Sequence, residues 1–446
     1  MEYLAQIVFI LIVAVATYIL VRRIRMIRKG ILLGKDVKIN DHKKDRWRNM
    51  LLIAFGQKKM FKRPIPAVLH LFLYGGFLII NIEVLEFVVD GFTGAHRAFT
   101  PYFGHVYPWM MNIFEFLAVA VLISCVIFLV RRNLLRVKRF HAYEMTQWPK
   151  LDANLILIIE ITLMLAILTM NAADQHLQIR SPEHYPASGK LFFSSLLMPL
   201  FENMSTGSLI VVERTAWWFH IVGILGFAIY ITYSKHLHIF MAFPNTYYSA
   251  LSPQGQMKNM DAVTNEVNMM LGIQTEAVAA PPSEEIGRFG AKDVNDLTWK
   301  NLMDAYSCTE CGRCTSECPA NITGKLLSPR KIMMDTRDRA EEVVKNMGSG
   351  GKGLEDGKSL LHDYITKEEI NACTSCQACV EACPVNINPL EIIYELKRYV
   401  AMEESGSPAS WNSMFQNIET NFAPWKFAPT DRFNWANDLK AEKAEK

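Results

Sequence analysis

The chain has 446 residues, is 50% apolar and carries a formal charge of +3, with 47 Lys and Arg against 44 Asp and Glu. That near-neutral balance, with no basic–aromatic stripe in the polar half, excludes nucleic acid as an expected partner. The apolar share is unevenly spread: residues 1–240 hold long apolar runs, whereas 241–446 read as an ordinary polar chain.

A spanning helix needs ~20 mostly apolar residues. In chain order, 4–21, 65–89, 110–130, 153–171 and 215–233 qualify. The first lacks a basic leading region and a small-residue cleavage site and is followed by "RRIRMIRK", so it reads as an anchor and not a signal peptide. "LFFSSLLMPLF" at 191–201 is too short to span and is expected at the interface. Segment 22–63 carries fifteen Lys and Arg and 131–150 carries six. The alternate loops are poorer: 90–108 has only Arg97, and 173–214 has Arg180, Lys190 and Arg214. By the positive-inside rule the N-terminus lies outside a cytoplasmic (inner) membrane, and everything after residue 240 lies in the cytoplasm.

Several histidines sit in or near these spans. His70 lies near the cytoplasmic end of the second, His220 near the outer end of the fifth, and His236 and His238 follow the fifth in "YSKHLHIF". An intramembrane histidine is costly and defaults to a functional hypothesis. Here that hypothesis is a b-type haem, which takes one histidine from each of two facing helices. The bland reading of each is an interfacial histidine at a helix end. His220 and His238 are eighteen residues apart, or five helical turns, which predicts one shared helix face and ~27 Å of rise. Gly75, Gly76, Gly223 and Gly226 offer backbone room for a porphyrin. Cys125, inside an apolar span, reads as a small packing residue.

After the fifth span, 241–290 reads as a linker containing "AAPPSEE", with a helix resuming around "VNDLTWKNLMDAY". Residues 291–403 hold eight of the nine cysteines, in "CTECGRCTSECP" at 308–319 and "CTSCQACVEACP" at 373–384. Each is C-x2-C-x2-C-x3-C-P, whose first three thiolates hold one iron–sulfur cube while the fourth ligates the other. The spacing assigns one [4Fe-4S] cluster to Cys308, Cys311, Cys314 and Cys383, and a second to Cys373, Cys376, Cys379 and Cys318. Disulfides are disfavoured in a reducing compartment, and zinc seldom needs a third and fourth cysteine at this spacing. "SPRKIMMDTRDRAEEVVKNM" and "NPLEIIYELKRYVAM" have helical periodicity, and "GSGGKG" at 348–353 breaks the first. In the tail, 404–446, Phe422, Trp425, Phe427, Phe433 and Trp435 have no evident core to fill and stand with Arg432, a composition suited to docking a partner.

"WWFHIVGILGFAIYITYSKHLHIFMAFP" resembles the fifth helix of the haem-bearing gamma subunit of respiratory nitrate reductase and of the haem subunit of membrane heterodisulfide reductase, and "HLFLYGGF" resembles the second helix of that family. The two cysteine motifs with their flanks, "CTECGRCTSECPANITGKLLSP" and "INACTSCQACVEACPVNINPL", resemble the iron–sulfur part of heterodisulfide reductase. The resemblance implies that His70 and His238 ligate a cytoplasmic-side haem and that His220 is one ligand of an outer haem. The family's other outer ligand falls at Ile80 here, leaving His96 and His105 as substitutes and the count at one or two haem b.

No glycine-rich dinucleotide fingerprint, P-loop or "CCG" cysteine-pair motif occurs. The sequence therefore predicts an all-α protein: a five-helix transmembrane bundle followed by a cytoplasmic, helical two-[4Fe-4S] ferredoxin-type domain. The expected role is a membrane electron-transfer subunit between the quinone pool (menaquinone or ubiquinone), b haem, two clusters and a cytoplasmic catalytic subunit. That partner would be a flavoprotein or an iron–sulfur chain with the cysteine-pair motif. The alternatives are a membrane-anchored ferredoxin without quinone chemistry, and a redox sensor. Glu83, Glu86 and Glu115 are candidate proton-handling groups at the quinone, where electron and proton move together.

Overall fold

The computed structural model describes residues 3–135, 137–253, 255–273, 288–348, 356–426 and 428–444. Among these residues the protein is all-α, with two isolated bridges and no strand. Five helices are long and apolar enough to cross a membrane: Leu4–Ile31, Pro64–Thr93, Thr100–Asn133, Trp148–Arg180 and Thr206–Ile231. The third is interrupted by a short turn at Gly104–Val106 before its main stretch, Tyr107–Asn133. Their shared core contains Phe9, Phe87, Val121, Leu163, Ile167 and Ile221, while Leu11, Leu78, Phe116 and Ile158 point outward. An apolar exterior around an apolar core is the pattern of helices solvated by lipid.

Every span outruns its apolar run or is displaced from it. The first continues ten residues past 21, so its basic end is helical and Ile27 joins the core of the cysteine-bearing domain. Gly30 on that helix packs against the Tyr306 ring with no space for a side chain. The fifth ends at Ile231 rather than 233, and the chain then turns through Lys235–Leu237 into a separate helix, His238–Tyr247. His220 and His238 therefore do not share one continuous helix, and the five-turn spacing expected from the sequence is not realised. The cause is tertiary: Ser234 is extended and its hydroxyl caps the His236 amide, while the Lys235 amide donates to Asp152 of the fourth span at 3.1 Å.

Part of the expected linker is ordered helix. Asn245 on His238–Tyr247 is buried and donates to the Val385 carbonyl at 3.0 Å, so this segment belongs to the packed structure. "AAPPSEE" and most of "GSGGKG" lie outside the described residues, as do Phe427 and the side chain of Arg432. The two predicted cluster-domain helices form at Pro329–Met347 and Pro389–Met402, each N-capped by a side chain, Ser328 and Asn388. Helix Trp299–Tyr306 starts in a capping box of Thr298 and Asn301. The segment 191–201 forms two short turns; Leu191 and Ser194 are buried, and Phe192, Leu196 and Leu200 are exposed. In the tail, helix Ala409–Asn421 and the segment after it expose Trp411, Trp425, Phe433 and Trp435.

The cysteine-bearing domain docks on the end of the bundle that carries the basic loops. Arg23 pairs with Glu341 at 2.7 Å, Arg63 with Glu317 at 2.8 Å, and Arg330 with Glu144 at 2.7 Å. At the opposite end, Arg97 is fully buried and ties spans together, pairing with Glu83 at 3.4 Å and Asp174 at 3.2 Å and donating to Asn171 at 2.6 Å. Removing one partner of such a buried group strands the others, a loss of about 3–5 kcal/mol. Arg97→Met should accordingly lower the midpoint of thermal unfolding in detergent far more than Arg214→Met, whose side chain is 40% exposed; equal midpoints would contradict the role given to Arg97.

Candidate functional site

The two cysteine loops have the same local geometry. Glu310 (φ 54°) and Gly312 (φ 70°) in the first correspond to Ser375 (φ 59°) and Gln377 (φ 65°) in the second. These left-handed residues turn backbone amides toward sulfur. The Glu310 amide donates to Cys308 Sγ at 3.4 Å, that of Ser375 to Cys373 Sγ at 3.5 Å, and that of Ile387 to Cys383 Sγ at 3.3 Å. A side chain at Gly312 would strike the Arg330 guanidinium.

All nine cysteines are unpaired. A largely apolar cavity is lined by Cys373, Cys376 and Cys379 of the second motif together with Cys318 of the first. Cys318 of the first motif thus lies with three cysteines of the second, which is in keeping with the crossed sets. Burial pushes Cys308, Cys379 and Cys383 up to about 12, so without iron these thiols keep their protons. Among the described residues, no three His, Cys, Asp or Glu side chains converge closely enough to hold one metal ion. Two groups of four thiols, each supplied with amide donors, fit iron–sulfur cubes. Cys376 is exposed, and Cys308, Cys318, Cys379 and Cys383 are buried.

His70 and His238 come together. Their ring centres are 6.4 Å apart with planes inclined at 41°. His238 Nδ1 donates to the Lys235 carbonyl at 3.0 Å, and His70 Nδ1 faces the Gln57 Oε1 acceptor at 3.1 Å. With Nδ1 so engaged, each ring presents Nε2 as a lone pair, the tautomer a metal requires. Two imidazoles this close, each with Nε2 open, are a donor set that would fit the iron of a b-type haem. His236 packs beside this pair, its ring 5.5 Å from those of His238 and Phe227. No carbonyl or carboxylate partner of its ring is formed among the described residues.

His220 is buried, donates from Nδ1 to the Leu163 carbonyl at 3.0 Å, and leaves Nε2 without a partner. The substitutes proposed for its missing haem partner are poorly placed. His96 donates to Asp174 at 2.9 Å and accepts from Arg214 at 3.2 Å, so both its nitrogens are occupied. His105 is exposed on the turn Gly104–Val106, and Ile80 is core.

The three carboxyl candidates are buried within hydrogen-bond networks. Glu83 pairs with Arg97, Glu86 accepts from the Tyr107 hydroxyl at 2.8 Å and the Phe99 amide at 2.9 Å, and Glu115 accepts from the Phe193 amide at 3.0 Å and from Ser194. Sequence reasoning passed over Gln57, whose role depends on a loop folding back on the second span. It also passed over Glu160, which lies inside the fourth span without a hydrogen-bond partner among the described residues; its position in an apolar run was a legible signal.

The comparisons agree with the cysteine geometry. Residues 307–387 match the family described as a 4Fe-4S dicluster domain. The C-terminal half carries that domain. The chain is 27% identical over 96% of its length to a probable iron–sulfur-binding oxidoreductase of Bacillus subtilis, covering 60% of it. It is 25% identical over 91% of its length to the EtfAB:quinone oxidoreductase of Syntrophomonas wolfei, covering 56% of it. One component of the dihydromethanophenazine:CoB–CoM heterodisulfide reductase of Methanosarcina mazei is 28% identical over 34% of the chain and 37% of that component. The chain therefore spans 60% or less of the length of these relatives. No solved structure matches it significantly. Together these findings support an iron–sulfur electron-transfer role in a protein with a membrane part.

The crossed sets make an asymmetric prediction. Cys383→Ser should abolish the EPR signal of the cluster otherwise held by Cys308, Cys311 and Cys314 and leave the second-motif signal intact, with Cys318→Ser doing the reverse. Loss of only the second-motif cluster in Cys383→Ser would refute the crossing.

Proposed function

We propose that the chain is the membrane electron-transfer subunit of a quinone-linked oxidoreductase. Electrons pass between the quinone pool, one b haem held by His70 and His238, a first cluster on Cys308, Cys311, Cys314 and Cys383, and a second on Cys373, Cys376, Cys379 and Cys318. They reach or leave a catalytic subunit on the side of the basic loops, the cytoplasm by the positive-inside rule. The haem supplies one-electron chemistry between a lipid-soluble two-electron carrier and the clusters. The protein's contribution is to orient both imidazoles and keep them in the ligating tautomer through Gln57 and Lys235.

One juxtaposition carries this reading: two histidine rings with free Nε2 atoms lie 6.4 Å apart at the end of the bundle on which the cysteine loops dock. Arg313, between Cys311 and Cys314, donates to the Lys59 carbonyl at 3.3 Å, two residues from Gln57. The first motif thus lies against the loop that carries Gln57, and Cys376 of the second is exposed, which supports the second group as the one nearer a partner. A partner is also in keeping with heterodisulfide reductase relatives, which are themselves subunits. The exposed aromatics of the tail supply a docking surface of the right composition.

His220 is assigned to the quinone and not to a second haem. Its Nε2 is an acceptor in a dry interior, suited to a quinol hydroxyl, and no free histidine stands opposite it among the described residues. Glu160 is the carboxyl left for proton transfer, because Glu83, Glu86 and Glu115 already hold the opposite end of the bundle together. Haem b per polypeptide tests the assignment. We expect one haem in the purified chain, lost in His70→Ala and in His238→Ala and retained in His220→Ala. Two haems falling to one in His220→Ala would overturn the single-haem reading, and no haem in the wild-type chain would overturn the function.

A further inference from the structure

Lys235 and Glu310 meet where the bundle and the cluster domain join. The two side chains are 9% and 3% exposed. The Lys235 ammonium pairs with the Glu310 carboxylate, donates to the Pro149 carbonyl at 2.6 Å and lies 3.9 Å from Asp152. Glu310 pairs through its other oxygen with Arg337 at 3.0 Å. Each of the two residues also touches an iron-ligand candidate through its backbone. The Lys235 carbonyl accepts from His238 Nδ1, and the Glu310 amide donates to Cys308 Sγ.

In order, these contacts run from the Cys308 thiol through the amide and carboxylate of Glu310 to the ammonium and carbonyl of Lys235, and from there to the His238 imidazole. We propose that Lys235 and Glu310 are a paired bridge that sets the spacing and electronic contact between the membrane haem and the first cluster. The proposal rests on the haem and cluster assignments above. Both are positioning residues, since neither ligates iron. A pair serving only to dock two domains would not also link, through the backbone of each member, a candidate ligand of the haem and a candidate ligand of the cluster. With haem and cluster bound, the step would be a single-electron exchange, one electron leaving the haem iron and one entering the cluster, with no bond made and no proton moved.

The test uses the full chain in detergent, as wild type, Lys235→Met, Glu310→Gln and Lys235→Arg, with iron, sulfide and haem b counted first. In loaded protein, loss of the lysine charge should lower the midpoint potentials of both haem and first cluster, and loss of the glutamate charge should raise them. The haem–cluster equilibration rate after rapid mixing should fall about 10-fold in each, the size typical of losing a group that orients a metal ligand. Lys235→Arg should keep the potentials near wild type. If Lys235→Met loses the first cluster, Glu310→Gln is read on the equilibration rate alone, where a slowed rate supports the bridge and an unchanged one overturns it. Loaded variants with unchanged potentials and rates would overturn the inference alone, whereas a wild-type chain without haem would overturn the functional reading beneath it.

Discussion

A polar domain can sit tightly on the end of a membrane bundle only if the charges trapped between them are paired. Here charges of the bundle's loops and helix ends meet opposite charges of the cysteine-bearing domain in buried or half-buried pairs: Arg23 and Lys235 of the bundle with Glu341 and Glu310, and Glu144 of the bundle with Arg330. Such pairs add little net stability, because desolvation offsets their attraction, yet each is costly to break. Their effect is therefore to fix register. The register decides how far the histidine pair lies from the first group of cysteines, and with it whether a relay can operate.

The two ends of the bundle divide the work. At the docked end, loops and short helices bring His70, His238, Gln57 and Lys235 together beside the first cysteine loop. At the far end, buried acids surround Arg97 and lock the second, third and fourth spans, a rigid frame rather than a reactive centre. Between them lie His220, with its unpartnered nitrogen, and Glu160. Cys376, by contrast, is exposed on the cysteine-bearing domain.

The dicluster domain was legible because thiolate spacing is a local constraint: C-x2-C-x2-C-x3-C-P has few other uses. The spans were legible from hydropathy, as was the capped helix at Pro329–Met347. The break after Ile231 was not. "YITYSKHLHIF" contains neither Gly nor Pro, and what ends the helix is an acid on another span, Asp152, capturing the Lys235 amide. The helix His238–Tyr247 was hidden for a similar reason, since its partner Val385 lies 140 residues away. The acids Glu83, Glu86 and Glu115 could be recognised as expensive, but their structural use depends on Arg97, Tyr107 and the 191–201 segment, which only the fold brings near.

Electron travel between quinone and the clusters is proposed to run by way of a haem at His70 and His238. The most direct measurement is re-oxidation of the dithionite-reduced chain in proteoliposomes by menaquinone confined to the bilayer, with haem absorbance and cluster EPR followed together. Both clusters should be re-oxidised in the wild-type chain and stay reduced when His70→Ala has removed the haem. Clusters re-oxidised at the same rate with and without the haem would contradict it.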